Sequence, residues 1–126
     1  MDTLLLQDWV TVADNNPVST GIAQSAASYL DISEYQDLVF FLNVTTPIQG
    51  GPLPQIEYQT APVAEESAFL PMLLVPSSFT GGPRADAVLG RFSRVPPAKY
   101  VRWFCGGNGY TQSCTFSIWV AGYRLP

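Results

Sequence analysis

Ten carboxylates, two cysteines and one glycine-rich loop are the places in this 126-residue sequence where chemistry could reside. A glycosidase-like acid pair needs two carboxyl groups facing each other across a cleft. The acids run from Asp2 and Asp8 to Asp86, and nothing in their spacing selects such a pair. Histidine is absent. That removes Ser-His-Asp and Cys-His nucleophiles and imidazole metal ligands. Two cysteines without histidine cannot build a structural zinc site. "DISEYQD" (Asp31 to Asp37) and "DNN" (Asp14 to Asn16) offer oxygen ligands of the kind calcium takes, without EF-hand spacing. "GGNG" (Gly106 to Gly109) lacks the lysine and following helix of a phosphate loop, and reads as a hairpin turn needing positive φ. "NVT" at Asn43 fits a glycosylation sequon but reads as ordinary strand sequence. The expectation is a protein with no catalytic residue, no metal and no cofactor, and not an enzyme.

The elements that would position any site are β-strands. Eleven prolines and ten glycines punctuate short apolar runs, and no segment makes a convincing amphipathic helix. "TLLLQDWVTV" places Leu4, Leu6, Val10 and Val12 on one face and Leu5, Gln7, Trp9 and Thr11 on the other. A strand is expected somewhere between Ile22 and Ile32. "DLVFFLNVT" (Asp37 to Thr45) is a continuous apolar run, expected as a central strand with both faces covered. "QIEYQTA" alternates, with Ile56 and Tyr58 together. In "FLPMLLV", Pro71 points to an edge strand or a bulge. "ADAVLGRFSRV" is open between a short helix and a kinked strand. Residues 1–126 form one domain, an all-β sandwich of jelly-roll type with about eight mostly antiparallel strands and little or no helix.

The stretch "YVRWFCGGNGYTQSCTFSIWV" (Tyr100 to Val120) reads as a hairpin in which Cys105 faces Cys114, Trp103 faces Phe116 and Val101 faces Ile118. Val101, Trp103, Cys105, Cys114, Phe116, Ile118 and Val120 then share the core face. Tyr100, Arg102, Phe104, Thr115, Ser117 and Trp119 share the other. A disulfide between Cys105 and Cys114 would stabilise by roughly 2.5–3 kcal/mol. A cytoplasmic origin argues instead for free buried thiols. The outer face has two readings as well. It is covered by another segment of the chain, or it is a contact surface built on Trp9, Tyr100, Arg102, Phe104 and Trp119, residue types enriched at interface cores.

Composition sharpens that choice. Charged residues make up 13%, about half the usual share of roughly 25%. A small domain needs more polar coating than a large one, not less. The shortage asks for surface buried against other chains, as in a homo-oligomer, a dimer or trimer. Net charge is −4, with one lysine, Lys99, so no nucleic-acid footprint is expected. No apolar stretch has the length of a membrane span, and "MDTLLLQDWV" lacks the features of a signal peptide. The chain reads as made in the cytoplasm and free of the membrane.

The succession "YLDISEYQDLVFFLNVT", "IEYQTAP", "KYVRWFC" and "CTFSIWVAGY", from Tyr29 to Tyr123, resembles small β-sandwich proteins of tailed-bacteriophage and prophage virions. In those a "D-x-S-x-Y" entry leads to an apolar strand, and a "YVRW"-like strand pairs with the last strand. In general layout it also resembles the galactose-binding, discoidin-like sandwich. The resemblance implies a structural role in a virion assembled in the host cytoplasm. The chain would be a head decoration (cement) or minor capsid protein whose partners are capsid or other virion subunits. No active-site residue carries over. The rival expectation is a carbohydrate-binding module, with a sugar stacked on Trp119, Tyr100 or Trp9 and hydrogen-bonded by Arg102.

Overall fold

A computed structural model describes residues 1–14, 21–45, 55–76, 79, 81–106 and 112–124. Among them are nine strands: β1 (Asp2–Asp14), β2 (Gly21–Ala23), β3 (Leu30–Asp31), β4 (Asp37–Val44), β5 (Gln55–Ala61), β6 (Leu70–Leu74), β7 (Gly82–Leu89), β8 (Tyr100–Gly106) and β9 (Gln112–Tyr123). One sheet runs β1-β9-β4-β7. The other runs β2-β8-β5-β6, with β3 also on β8. Every pairing is antiparallel. Counting β2 and β3 as one interrupted strand gives eight, in the orders 1-8-3-6 and 2-7-4-5. That is the double wrap of a jelly roll. The only helical pieces among the described residues are 3-10 turns at Ala26–Ser28 and Glu66–Ala68.

The expected pairing of the last two strands is wrong. β8 and β9 lie in different sheets, each central in its own. The core face survives for another reason. Val101, Trp103 and Cys105 point inward from one sheet, and Cys114, Phe116, Ile118 and Val120 point inward from the other, all buried. Trp103 meets Phe116 edge-on at 5.1 Å, across the core rather than along a ladder. Alternation dictates which side chains face in, but it is blind to whether two inward faces are neighbours or opposites. Phe40 stacks on Tyr58 at 4.0 Å in the same way.

Other elements differ in detail. The segment between Ile22 and Ile32 splits into β2 and β3 around a 3-10 turn whose N-cap, Ser25, accepts from the Ala27 amide. Gln24 fixes this detour. Its amide donates to the carbonyls of Leu6 (2.8 Å) and Ser28 (2.9 Å) and accepts from the Trp103 N–H (3.1 Å). The "ADAVLG" stretch is strand up to Leu89, not helix. β6 is an edge strand with a register shift opposite it, as Pro71 predicts. β1 carries two register shifts against β9, between Leu5 and Gln7 and between Gln7 and Val10. They turn Gln7 inward, against the simple alternation, to accept the Trp103 Nε1–H at 2.9 Å. The "GGNG" turn lies outside the described residues apart from Gly106.

Candidate functional site

The outer side of the β1-β9-β4-β7 sheet is where large apolar side chains meet solvent. The ladders align Leu5, Trp119, Phe41 and Ala85 in one row across the four strands. The next row is Thr3, Ala121, Val39 and Ala87. Alternation puts both rows outward because Leu38, Phe40, Leu42, Ile118 and Val120, which alternate with them along β4 and β9, are buried in the core; within the second row small Ala121 is only 3% exposed. Trp9 joins from the second register shift of β1. Leu5, Trp9, Phe41 and Trp119 are 41%, 50%, 48% and 45% exposed. β4 is central as predicted, but among the described residues only its inner face is covered, and Phe41 on the outer face is exposed. Phe41 is the residue that sequence reasoning missed. Its signal was present in the odd positions of "DLVFFLNVT", where a continuous apolar run hides a strand with two apolar faces.

The rings border a groove of about 500 Å³, lined by Trp9, Phe41, Trp119 and Pro83 with Asn43 and Ser117 beside them. On the inward side of β7, opposite Leu42 and Phe40, Arg84 is held by Asp86 through two hydrogen bonds of 2.7 and 2.8 Å. That contact raises the guanidinium pKa above its ordinary value. Asn43, the sequon residue, sits in the ladder opposite Ser117 and Pro83.

The five residues expected on one contact face do not stay together. Trp9 and Trp119 share the open face. Tyr100, Arg102 and Phe104 are on β8, in the opposite sheet. Arg102 is only 5% exposed. Its Nε donates to Gln59 Oε1 (2.8 Å) and its Nη1 to the Tyr29 hydroxyl (3.0 Å). Phe69 covers the guanidinium at 4.3 Å, and Tyr29 meets Phe69 edge-on. Gln59 in turn donates to Glu57 at 2.6 Å, so the buried cation reaches a carboxylate through one amide. Here the covered-by-the-chain reading holds. Tyr29 and Phe69 lie outside the strands, where no periodicity announces which strand they will cap. Tyr100 and Phe104 are half-buried.

The remaining candidates serve the structure. Cys105 and Cys114 are buried and free, and point inward from opposite sheets. The neighbouring Cys114 thiol, and then burial, push the Cys105 thiol up. In "DISEYQD", Asp31 accepts from the Ser33 amide, Glu34 pairs with Arg124, and Asp37 accepts from the Gly90 amide. The Tyr35 hydroxyl donates to Asp2 at 2.7 Å, which lowers the Asp2 pKa. Among the described residues no three potential ligands cluster as a metal site. The buried Tyr58 hydroxyl has no hydrogen-bond partner there, and burial pushes its pKa well above the usual phenol value.

No family model matches the chain, and no curated protein does. Among solved structures it is similar to a chain from a study titled "Bacillus endospore appendages form a novel family of disulfide-linked pili". The two are 16% identical over all of this chain and 93% of that one, with a TM-score of 0.41. A likeness this slight carries no statement about function.

Proposed function

We propose that this chain is a non-enzymatic structural protein of a bacteriophage-like virion, a head decoration or minor capsid protein, assembled in the host cytoplasm. It associates through the open face of the β1-β9-β4-β7 sheet. The observation that carries the reading is the row of Leu5, Trp119 and Phe41, with Trp9 beside it, on a face that the described residues leave uncovered. A contiguous apolar patch marks an interaction site, and aromatic side chains are the usual anchors. The low charge content and the resemblance of the strand motifs to virion sandwiches point the same way. Jelly rolls serve in capsids, but also in lectins, so the fold alone does not choose. The test is co-sedimentation with particles of the encoding phage or prophage. Wild-type protein should pellet with them, and Phe41→Asp should stay in the supernatant with an unchanged circular dichroism spectrum. Particles lacking the chain by mass spectrometry would sink the proposal.

A second reading has one observation in its favour. Asn43 and Ser117 stand beside the rings of the groove, as hydroxyl-binding groups stand beside stacking aromatics in a carbohydrate site. A glycan screen in which Trp119→Ala abolishes a specific signal, with co-sedimentation intact, would favour it.

A further inference from the structure

We infer that the partner on the open face is a second copy of this chain, packed sheet on sheet about a two-fold axis. The inference rests on reading that face as a contact surface. A two-fold interface uses the same patch twice, so the patch must tolerate itself. This one does. Neither the Leu5–Trp119–Phe41–Ala85 row nor the Thr3–Ala121–Val39–Ala87 row contains a charge. Asp8 lies on the edge strand β1, and Asp37 in the last row, opposite Tyr123 and Leu89. Both stand at the perimeter, where an interface keeps its polar rim.

Size agrees. The four strands have 13, 12, 8 and 8 residues. Alternate side chains face outward, about twenty in all. A standard interface uses roughly 20–30 residues from each partner. The sheet edges, the other route to self-association, are blunted. β7 carries Pro83 and the Arg84–Asp86 ion pair, β6 carries Pro71 and a register shift, and β1 carries two register shifts.

Relief fixes the geometry. The bulky row and the smaller row are adjacent along the strands. A two-fold axis lying between them, parallel to both, sets each bulky row over the smaller row of the other copy. Phe41 then meets Val39 of the second copy, and Trp119 lies above its Ala121, which is 3% exposed in the single chain. Facing sheets about 10 Å apart need this alternation of large and small to interdigitate.

Sedimentation velocity of the full chain, with its variants, tests the inference. Wild-type protein should reach twice the 13.7 kDa chain mass. Phe41→Asp should weaken the dimer about 30-fold or more while leaving the circular dichroism spectrum unchanged. Val39→Trp is the sharper variant. It adds apolar surface, so a merely sticky face would associate more, whereas the paired rows would clash and the dimer weaken. Salt should tighten the dimer, because the perimeter and the net charge repel their copies. A wild-type monomer at about 100 μM, far above a micromolar Kd, overturns the inference. So does a dimer indifferent to Phe41→Asp, strengthened by Val39→Trp or dissolved by salt. A monomer that decorates particles through Phe41 overturns it and leaves the virion reading standing. A dimer with the expected responses that is found on no particle supports it and sinks the virion reading.

Discussion

Tyr58→Phe removes a buried hydroxyl that has no hydrogen-bond partner among the described residues. The ring keeps its stack on Phe40, so the variant should stay within about 1 kcal/mol of wild-type stability, read by urea titration. Arg102→Glu should behave differently. It puts a carboxylate between the Phe69 ring and the acceptor oxygen of Gln59, with Glu57 one amide beyond. A loss of about 3–5 kcal/mol in the same titration is expected, as for breaking a buried charged contact. An unchanged midpoint would mean that Tyr29 and Phe69 do not cover this site. The two residues mark how far a sequence reading reaches. Tyr58 was legible as core from the alternation of "QIEYQTA". Arg102 was legible as facing away from the core, but its cover comes from residues 33 and 73 positions away in the chain.

β2 is three residues long and is secured at one residue in particular. Gly21 has φ of 132°, and a Cβ there would lie 2.5 Å from the Cys105 carbonyl oxygen and 2.6 Å from the Phe104 ring. Gly21→Ala should therefore cost about 1–3 kcal/mol, from overpacking and from a backbone shape alanine resists. Loss of amide-exchange protection at Ile22 and Ala23 first, before the rest of β8, would locate the damage. At this scale the strands themselves were readable and their partners were not. β8 and β9 each alternate cleanly and are separated by glycines, which is what a hairpin also looks like. What distinguishes them is that each is flanked on both sides by other strands, and those neighbours are remote in sequence. The open outer face of β4 was hidden for a related reason. An apolar residue such as Phe41 looks the same in sequence whether the chain covers it or leaves it for a partner.

The sandwich is electrically lopsided. Asp2, Asp31, Glu34, Asp37, Glu65, Glu66, Arg91, Arg94, Lys99 and Arg124 all belong to one end, where β4 begins and β9 finishes. At the other end of the strands Asp14 closes β1, and the sequence stretches 15–20, 46–54, 77–81 and 107–111 contain no charged residue. Acid should therefore loosen the molecule from one end. The Tyr35 hydroxyl and then Arg124 lower the Asp2 pKa, and hydrogen bonds from Ser33 lower that of Asp31. A carboxylate with a lowered folded pKa stabilises above its unfolded value, near 4, and that contribution is lost as pH falls through the folded value. Melting temperature should be flat from neutral pH down to about 4 and fall below it. Asp2→Asn should make that fall shallower. An equal fall in wild type and Asp2→Asn would place the acid sensitivity elsewhere. The two register shifts of β1 have a consequence of another kind. From Asp2 to Asp14 this strand spends two more residues than β9 spends from Gly122 to Gln112. It carries slack, as a rope with two small loops does. Deleting Asp8 should draw one loop straight, set Trp9 opposite Ser117, and move the melting temperature by only a few degrees. Deleting Val39 from β4, which runs taut between two partners with no shift on either side, should abolish folding. Length in this protein is negotiable only along the strand where the excess is stored.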